Sequence, residues 1–163
     1  IRSALLSIAI SVLLIGLITS LFFGRVIWGA LSIIPLFSAV ILNFGLMGHF
    51  DIALNHITAI LSSIIIGVGV DFAIHYISQF QKLSKNKDGK DKTIKVVKDV
   101  GYPILLDAGS NMGFGALIFS VFLPVQYIGG LMVFAMISTS LGTLVLLASA
   151  TQILSDRISK GKI

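Results

Sequence analysis

The sequence predicts an all-α integral membrane protein, a helical bundle with five spanning helices. Hydrophobic residues make up 56% of the 163-residue chain, and charged residues make up only 12%. Soluble domains carry about 25% charged residues, and the mean hydropathy of this chain is correspondingly high at +1.02. The sequence also contains five long apolar segments with polar or basic connections between them. At ~20 apolar residues per crossing, each segment can cross a bilayer.

The five segments form one transmembrane domain that covers the whole chain, 1–163. We expect Pro35 inside the second span, because a spanning helix tolerates proline when neighbours satisfy the freed carbonyl. Pro103 is expected in the first turn of the fourth span, where proline is favoured. The fifth span is long enough to be tilted or to extend beyond the hydrocarbon. The approximate bounds of the spans are 3–23, 26–47, 54–80, 102–122 and 125–154.

The connections and the basic residues predict the orientation of the chain. The turn at Gly24 and Arg25 is so short that the first two helices form a tight hairpin. The long basic loop 81–101 contains an amphipathic pattern over 93–100, which predicts a short helix on the membrane surface. With five crossings, 11 of the 12 Lys and Arg residues fall on one side. By the positive-inside rule that side, with the C-terminus, is cytoplasmic. The charge is therefore a topology signal, and no nucleic-acid partner is expected.

Several chemistries are excluded by what the sequence lacks. There is no cysteine, so disulfides, thiolate metal sites and cysteine nucleophiles are ruled out. No phosphate-binding loop, nucleophile elbow or zinc spacing is present. One polar cluster lies in the predicted outward loop, but such residues are common in short loops, so we expect neither a metal nor a cofactor. Its members are His49, Asp51, Asn55 and His56.

Asp71 and His75 lie near the middle of the third apolar segment. A carboxylate inside a spanning helix costs roughly 2.5–3.5 kcal/mol on insertion scales, so it needs a partner, water or a proton. Gly67, Asp71 and His75 are spaced at i, i+4 and i+8, so they share one helical face suited to meeting another helix. We expect Asp71 to exchange a proton, with His75 as relay or partner. The alternative is a polar pair that only holds two helices together.

A second polar set lies on the fourth and fifth predicted spans. Asp107 and Asn111 are one turn apart, with Ser110 beside them, and Ser138 and Thr139 lie on the fifth span. Together they are a candidate polar network. Two alternatives stand beside it: Asp107 is solvated at the interface, and the hydroxyls bond back to their own helix.

Four glycines are candidates for helix packing. Gly109 and Gly113 form a small-xxx-small pair, a spacing that lets two spanning helices approach closely. Gly67 and Gly69 precede the acid on the third span.

The stretch Gly67-Val-Gly-Val-Asp71-Phe-Ala-Ile-His75-Tyr resembles the fourth spanning helix of the resistance–nodulation–division (RND) superfamily. The branch that it is most similar to contains the large mycobacterial membrane proteins, hopanoid and lipid exporters, and Patched-like sterol-sensing domains. Residues 109–120, followed by 123–129, resemble the next helix of that family and its turn. The resemblance covers essentially the whole chain, as spanning helices two to six of one half.

The resemblance implies proton-driven export of lipids or other hydrophobic molecules across a bacterial inner membrane. It implies that Asp71 is the proton-coupling residue, with His75 on the same face. The chain starts almost at its first helix without an initiator methionine, so we expect a piece of a longer protein. The expected partners are membrane lipids and the remainder of the parent transporter. That remainder comprises a first spanning helix, an exported domain, and a second half or second copy.

Two other functions were weighed against transport. The first is a sterol-sensing-like module that binds lipid or regulates, without transport; it does not need an ionisable pair in the membrane. The second is an intramembrane aspartyl protease, which needs a Gly-x-Gly-Asp motif and a second aspartate on a neighbouring helix. Here the acid follows Gly69 by two residues, and Asp107 is expected near a helix end. We therefore expect no enzymatic activity.

Overall fold

The computed structural model describes residues 2–53, 56–85 and 92–159, and every regular element in these ranges is helical. The predicted helical membrane bundle is confirmed at this level. Four helical stretches are long and apolar enough to span a membrane, namely Leu6–Phe23, Val26–His49, Ile60–Ser84 and Leu123–Leu154. In chain order the elements are α1 (Arg2–Phe23), α2 (Val26–His49), α3 (His56–Lys85), α4 (Lys92–Asn111), a 3₁₀ segment (Met112–Phe119), α5 (Leu123–Gly142), a π turn (Thr143–Leu147) and α6 (Ala148–Ser159).

The region between α3 and α5 differs from the prediction. No separate surface helix at 93–100 precedes a spanning helix, because α4 runs unbroken from Lys92 to Asn111. Pro103 consequently lies in the interior of α4 and not in a first turn. The reason is an apolar repeat every four residues, which runs through the predicted break and is buried along its whole length. The repeat consists of Val96, Val100, Ile104 and Ala108.

The predicted span 102–122 is therefore divided between two kinds of helix. Its first half is the end of α4, and its second half is the 3₁₀ segment, in which no residue is buried. The tighter 3₁₀ geometry is usual only in short pieces. This region is not among the four candidate spans found in the described part of the chain.

Small residues hold α1 and α2 together as a close hairpin. Gly24 ends α1 with φ of +69°, a left-handed conformation that glycine adopts without strain. Further along the hairpin, a Cβ on Gly29 would lie 2.5 Å from the Gly16 carbonyl oxygen, so the two backbones are nearly in contact. The hydroxyls of Thr19 and Ser32 are 3.0 Å apart and link the two helices inside this crossing.

The core of the bundle lies around α3, which contacts α1, α2, α4 and α5. Phe72 and Tyr76 are fully buried on the inner side of α3. The side-chain amide of Asn43 on α2 donates to the carbonyl of Leu131 on α5 at 3.3 Å, and this hydrogen bond links α2 to α5. Because its inner side is covered by four elements, α3 has only one face left to present outward.

Candidate functional site

The outward face of α3 is a narrow stripe of small and polar residues. Its members recur every three to four residues, so they follow one side of the helix. Asp71 occupies the middle of this stripe and of the candidate span Ile60–Ser84. We name it the Asp71 stripe, and its members, all exposed, are Ser63, Gly67, Asp71, His75 and Ser78.

No helix in the described part of this chain covers the Asp71 stripe. Asp71 and His75 are both exposed, and neither makes a hydrogen bond or ion pair with any described residue. A Cβ on Gly67 would meet nothing within 4 Å. Within the described residues, Asp71 therefore faces no neighbouring helix of this chain, and the expectation that it meets another helix stays a prediction. The physical reason is that Phe72, Tyr76 and other large apolar residues occupy the side of α3 that packs inward.

Counting along the helices places a second acid, Asp107, at a level of the bundle similar to that of Asp71. The amide of Gln79 on α3 donates to a carboxylate oxygen of Asp99 on α4 at 2.9 Å, which sets the register of these antiparallel helices. Counting eight residues along each helix from this bond reaches Asp71 and Asp107. Both acids are thus about 12 Å from the bond, at ~1.5 Å of rise per residue. Asp107 is also exposed.

The predicted polar network is only partly assembled. Asp107 and Asn111 are joined, since the Asn111 amide donates to the Asp107 carboxylate at 3.3 Å and to its carbonyl at 3.0 Å. Ser110 is exposed beside them. Ser138 and Thr139 instead donate to carbonyls of their own helix, at 2.7 Å and 2.6 Å. Among the described residues no hydrogen bond links these two hydroxyls to the acids, so the back-bonding alternative describes them.

The four predicted packing glycines occupy two different environments. Gly69 is buried, and a Cβ there would lie 3.2 Å from Thr139 Cγ2 on α5. Gly67, Gly109 and Gly113 are exposed, and a Cβ on any of them would meet nothing within 4 Å. A packing contact within the described chain is thus seen for Gly69, whereas for the other three a packing role stays a prediction.

Two parts of the predicted outward cluster cannot be placed. Asn55 lies outside the described residues, and so does the side chain of His56. His49 and Asp51 are described and exposed, and Asp51 has a positive φ of 50° at the end of α2.

Sequence reasoning missed a polar contact behind the acid. The hydroxyl oxygens of Tyr76 and Thr151 lie 3.1 Å apart in the interior, which joins α3 to α6. Tyr76 ends the motif that carries the resemblance, so its position was visible. Its partner, Thr151, could not be predicted from the sequence. The π turn shifts the register of α6 relative to α5, and this moves Thr151 away from the face that it would have in a regular helix.

The α1–α2 hairpin provides an apolar cleft. A cleft of about 480 Å³ lies between the two helices, away from the Gly24 turn. Ligand pockets commonly measure about 300–1,000 Å³, so its size suits a lipid chain. Its walls are aliphatic and aromatic, and they include Ile8, Val12, Phe37, Val40 and Phe44.

The comparison with known families decides which family this helical bundle belongs to. Residues 21–158 match the family model of the sterol-sensing domain of SREBP cleavage-activation. The chain belongs to the sterol-sensing domain family. The match extends from the last turn of α1 into α6, so this sterol-sensing domain is a multi-pass membrane module related to membrane lipids.

A relative of this sterol-sensing domain gives no further functional information. A protein of Methanocaldococcus jannaschii, whose name describes it only as a membrane protein, is 30% identical to the chain over 109 residues. The match covers 64% of this chain and 28% of that protein, so the chain spans well under half of that relative's length. No solved structure matches the chain.

Proposed function

We propose that this sterol-sensing domain is the membrane domain of a proton-driven exporter of RND type, which moves lipid or another hydrophobic substrate. Asp71 is the proton-coupling acid in this proposal, and His75 is its relay. The observation that carries it is the Asp71 stripe, an ionisable pair in the middle of a candidate span that no described part of the chain covers.

The energetics of the stripe favour a covered position in the working protein. Ionisable residues in spanning segments almost always face a bundle interior or a water-filled cavity, because lipid cannot solvate them. The stripe carries Gly67 and two serines beside Asp71 and His75, so a second helix can approach closely. A second half of the parent, or a second copy, would supply that helix and enclose the acid.

Five crossings are part of the same proposal. The 20 residues of α4 and the 8 residues of the 3₁₀ segment reach about 46 Å at ~1.5 Å and ~2.0 Å per residue. A hydrocarbon core is only about 30 Å thick, so this pair is long enough to return the chain across the membrane. The basic turn, the basic loop and the C-terminus then share the cytoplasmic side.

The decisive experiment uses the parent protein in liposomes with an imposed pH gradient. The readout is movement of a fluorescent phospholipid analogue, followed together with internal pH. Asp71→Asn should abolish gradient-driven movement because the amide cannot exchange a proton, and His75→Gln should slow it. Asp99→Asn is the matched control, since it also converts an exposed acid to an amide but lies beside Gln79 at the basic end. Unchanged gradient-driven movement in Asp71→Asn would reject the coupling role.

The second candidate is a lipid-binding or regulatory module without transport. The apolar cleft between α1 and α2 favours it, because its lining offers no ionisable group and needs none. In this case Val12→Phe should fill the cleft and lower photo-crosslinking by a lipid probe, whereas Asp71→Asn should leave crosslinking unchanged. Absence of any pH-driven lipid movement in the unsubstituted parent would favour this candidate over the exporter.

A further inference from the structure

A second groove on the α1–α2 hairpin has apolar walls and a charged mouth. It has a volume of about 610 Å³ and lies at the hairpin turn, on the basic end of the bundle. Its walls include Leu13, Leu17 and Leu21 from α1 and Ala30 and Ile33 from α2, and Arg25 stands at its mouth. We name it the Arg25 groove.

The mouth of the Arg25 groove is suited to an anion. Arg25 is exposed and makes no ion pair or hydrogen bond with any described side chain. It is also the N-cap residue of α2, and no side chain caps that terminus. The N–H groups of Val26 and Ile27, which no side chain caps, lie at the positive end of the helix dipole beside this guanidinium. Arginine pairs with phosphate through two parallel hydrogen bonds.

The length of the groove matches one leaflet of a bilayer. From Arg25 to Leu13 the helix descends about 18 Å, at ~1.5 Å per residue. Half of a hydrocarbon core is about 15 Å, so the apolar walls reach from the headgroup level to near the bilayer midplane. A molecule with an anionic head and an apolar tail of one leaflet's length satisfies both parts of the groove.

We infer that the Arg25 groove binds an anionic phospholipid from the leaflet at the basic end of the bundle. The phosphate lies at Arg25 and the uncapped start of α2, and one acyl chain lies along the leucines of α1. The groove adjoins the cleft near Phe44, since Leu13 lines both, and it contains no residue of the Asp71 stripe. It neither requires proton coupling nor depends on whether the protein transports anything.

Trp28 provides a reporter for this site, because it is the single tryptophan of the chain and lies three residues beyond Arg25. The chain is placed in phosphatidylcholine bilayers with a small fraction of brominated phosphatidylglycerol. Quenching of Trp28 above that given by the same fraction of brominated phosphatidylcholine measures local enrichment of the anionic lipid. An unchanged Trp28 emission maximum and circular dichroism spectrum show that each variant is folded.

Charge variants test the mouth of the groove. Arg25→Gln should lower the enrichment about fivefold, the effect of removing one basic residue at an anionic surface. Arg25→Lys should retain most of it, because the charge remains. Lys98→Gln is the matched control, since it removes one charge from an exposed position on α4. Equal enrichment in Arg25→Gln and Lys98→Gln would overturn the inference.

A steric variant and a soluble anion test whether the groove binds the acyl tail of the lipid. Ala30→Phe places a ring in the groove without changing the charge, and it should abolish the enrichment. Ala116→Phe, at an exposed position of the 3₁₀ segment, should leave it unchanged. Inorganic phosphate in millimolar excess should displace nothing, because it lacks a tail. Enrichment that survives Ala30→Phe, or that inorganic phosphate removes, would show a simple anion site and contradict a lipid site.

Discussion

The hydroxyl of Tyr76 on α3 lies 3.1 Å from the hydroxyl of Thr151 on α6, and both side chains are fully buried. The Thr151 hydroxyl also donates to the Leu147 carbonyl at 2.8 Å, so its hydrogen is already used. Tyr76 is therefore the donor of the pair and Thr151 the acceptor. This contact connects the helix that carries Asp71 to the last helix of the bundle.

The direction of this hydrogen bond predicts unequal effects of two substitutions. Tyr76→Phe removes the donor and leaves Thr151 bonded to its own helix, so we expect a loss of about 0.5–1 kcal/mol in the free energy of unfolding. Thr151→Val leaves a buried tyrosine hydroxyl without an acceptor, which should cost about 1–3 kcal/mol. Reversible unfolding in mixed micelles measures both. Tyr102→Phe, on an exposed tyrosine of α4, should have no effect. Equal losses for the first two variants would contradict the assigned donor.

Thr143 offers a stabilising substitution. Its hydroxyl oxygen is buried and has no hydrogen-bond partner among the described residues. Because an unsatisfied buried hydroxyl is costly, the nearly isosteric Thr143→Val should raise the free energy of unfolding by about 1 kcal/mol. Thr139→Val is the matched control, since that hydroxyl donates to the Ala135 carbonyl at 2.6 Å. It should be neutral or slightly destabilising in the same unfolding assay, and a loss for Thr143→Val would disprove the expectation.

Two adjacent glycines on α5 should respond oppositely to alanine. A Cβ on Gly129 would lie 2.7 Å from the backbone nitrogen of Ile118, so the 3₁₀ segment would have to move. Gly129→Ala should therefore lose about 1–3 kcal/mol of stability, as overpacked sites do. A Cβ on Gly130 meets nothing within 4 Å, so Gly130→Ala should gain up to about 1 kcal/mol from helix propensity. Thermal unfolding of both variants in one detergent measures whether each substitution raises or lowers stability. Similar melting temperatures would refute the close approach of Gly129 to the 3₁₀ segment.

The spans of α1, α2 and α3 were predictable because long apolar runs end at recognisable signals. The Gly24 turn is the clearest, since a left-handed residue there requires glycine or a strained alternative. Because nearly every position of α1 is apolar, only the length of this apolar run predicted that α1 is a spanning helix. Periodicity was not needed for these three helices.

The region around α4 was harder to predict, because two local signals compete there. Pro103 and the lysine-rich sequence before it suggest a helix start, whereas the burial of Val96 and Val100 carries the helix through. Tertiary packing overrides the local preference of Pro103, whose own ring is exposed. The Tyr76–Thr151 contact had no sequence signal, because its geometry depends on the π turn.

The orientation of Asp71 required the structure, because periodicity gives a shared face but not the direction of that face. Gly67, Asp71 and His75 do share one side of α3, and that side points away from the described bundle. The apolar face of α3, which includes Phe72 and Tyr76, is longer and more continuous than this polar side. The inward direction of α3 is therefore set by the larger apolar area that it buries.

The Asp71 stripe should behave as an interface in the parent protein and as a free surface in this chain. Gly67→Leu adds a bulky group at a position where nothing lies within 4 Å. Gly45→Leu adds the same group at an exposed position of α2, also with nothing within 4 Å. In the chain alone, both variants should therefore unfold like the unsubstituted chain, or be slightly more stable, because leucine has the higher helix propensity.

The two variants should separate once the rest of the parent is present. If a second half or second copy packs on the stripe, Gly67→Leu overpacks that contact and should cost the assembled parent about 1–3 kcal/mol. Gly45→Leu should cost nothing there, because its side of α2 is apolar and open to lipid. Thermal unfolding of the two variants, measured in the chain and in the parent under one detergent, gives four comparable values. Equal stability of the variants in both settings would mean that no helix packs at Gly67, and Asp71 would then need water to solvate it.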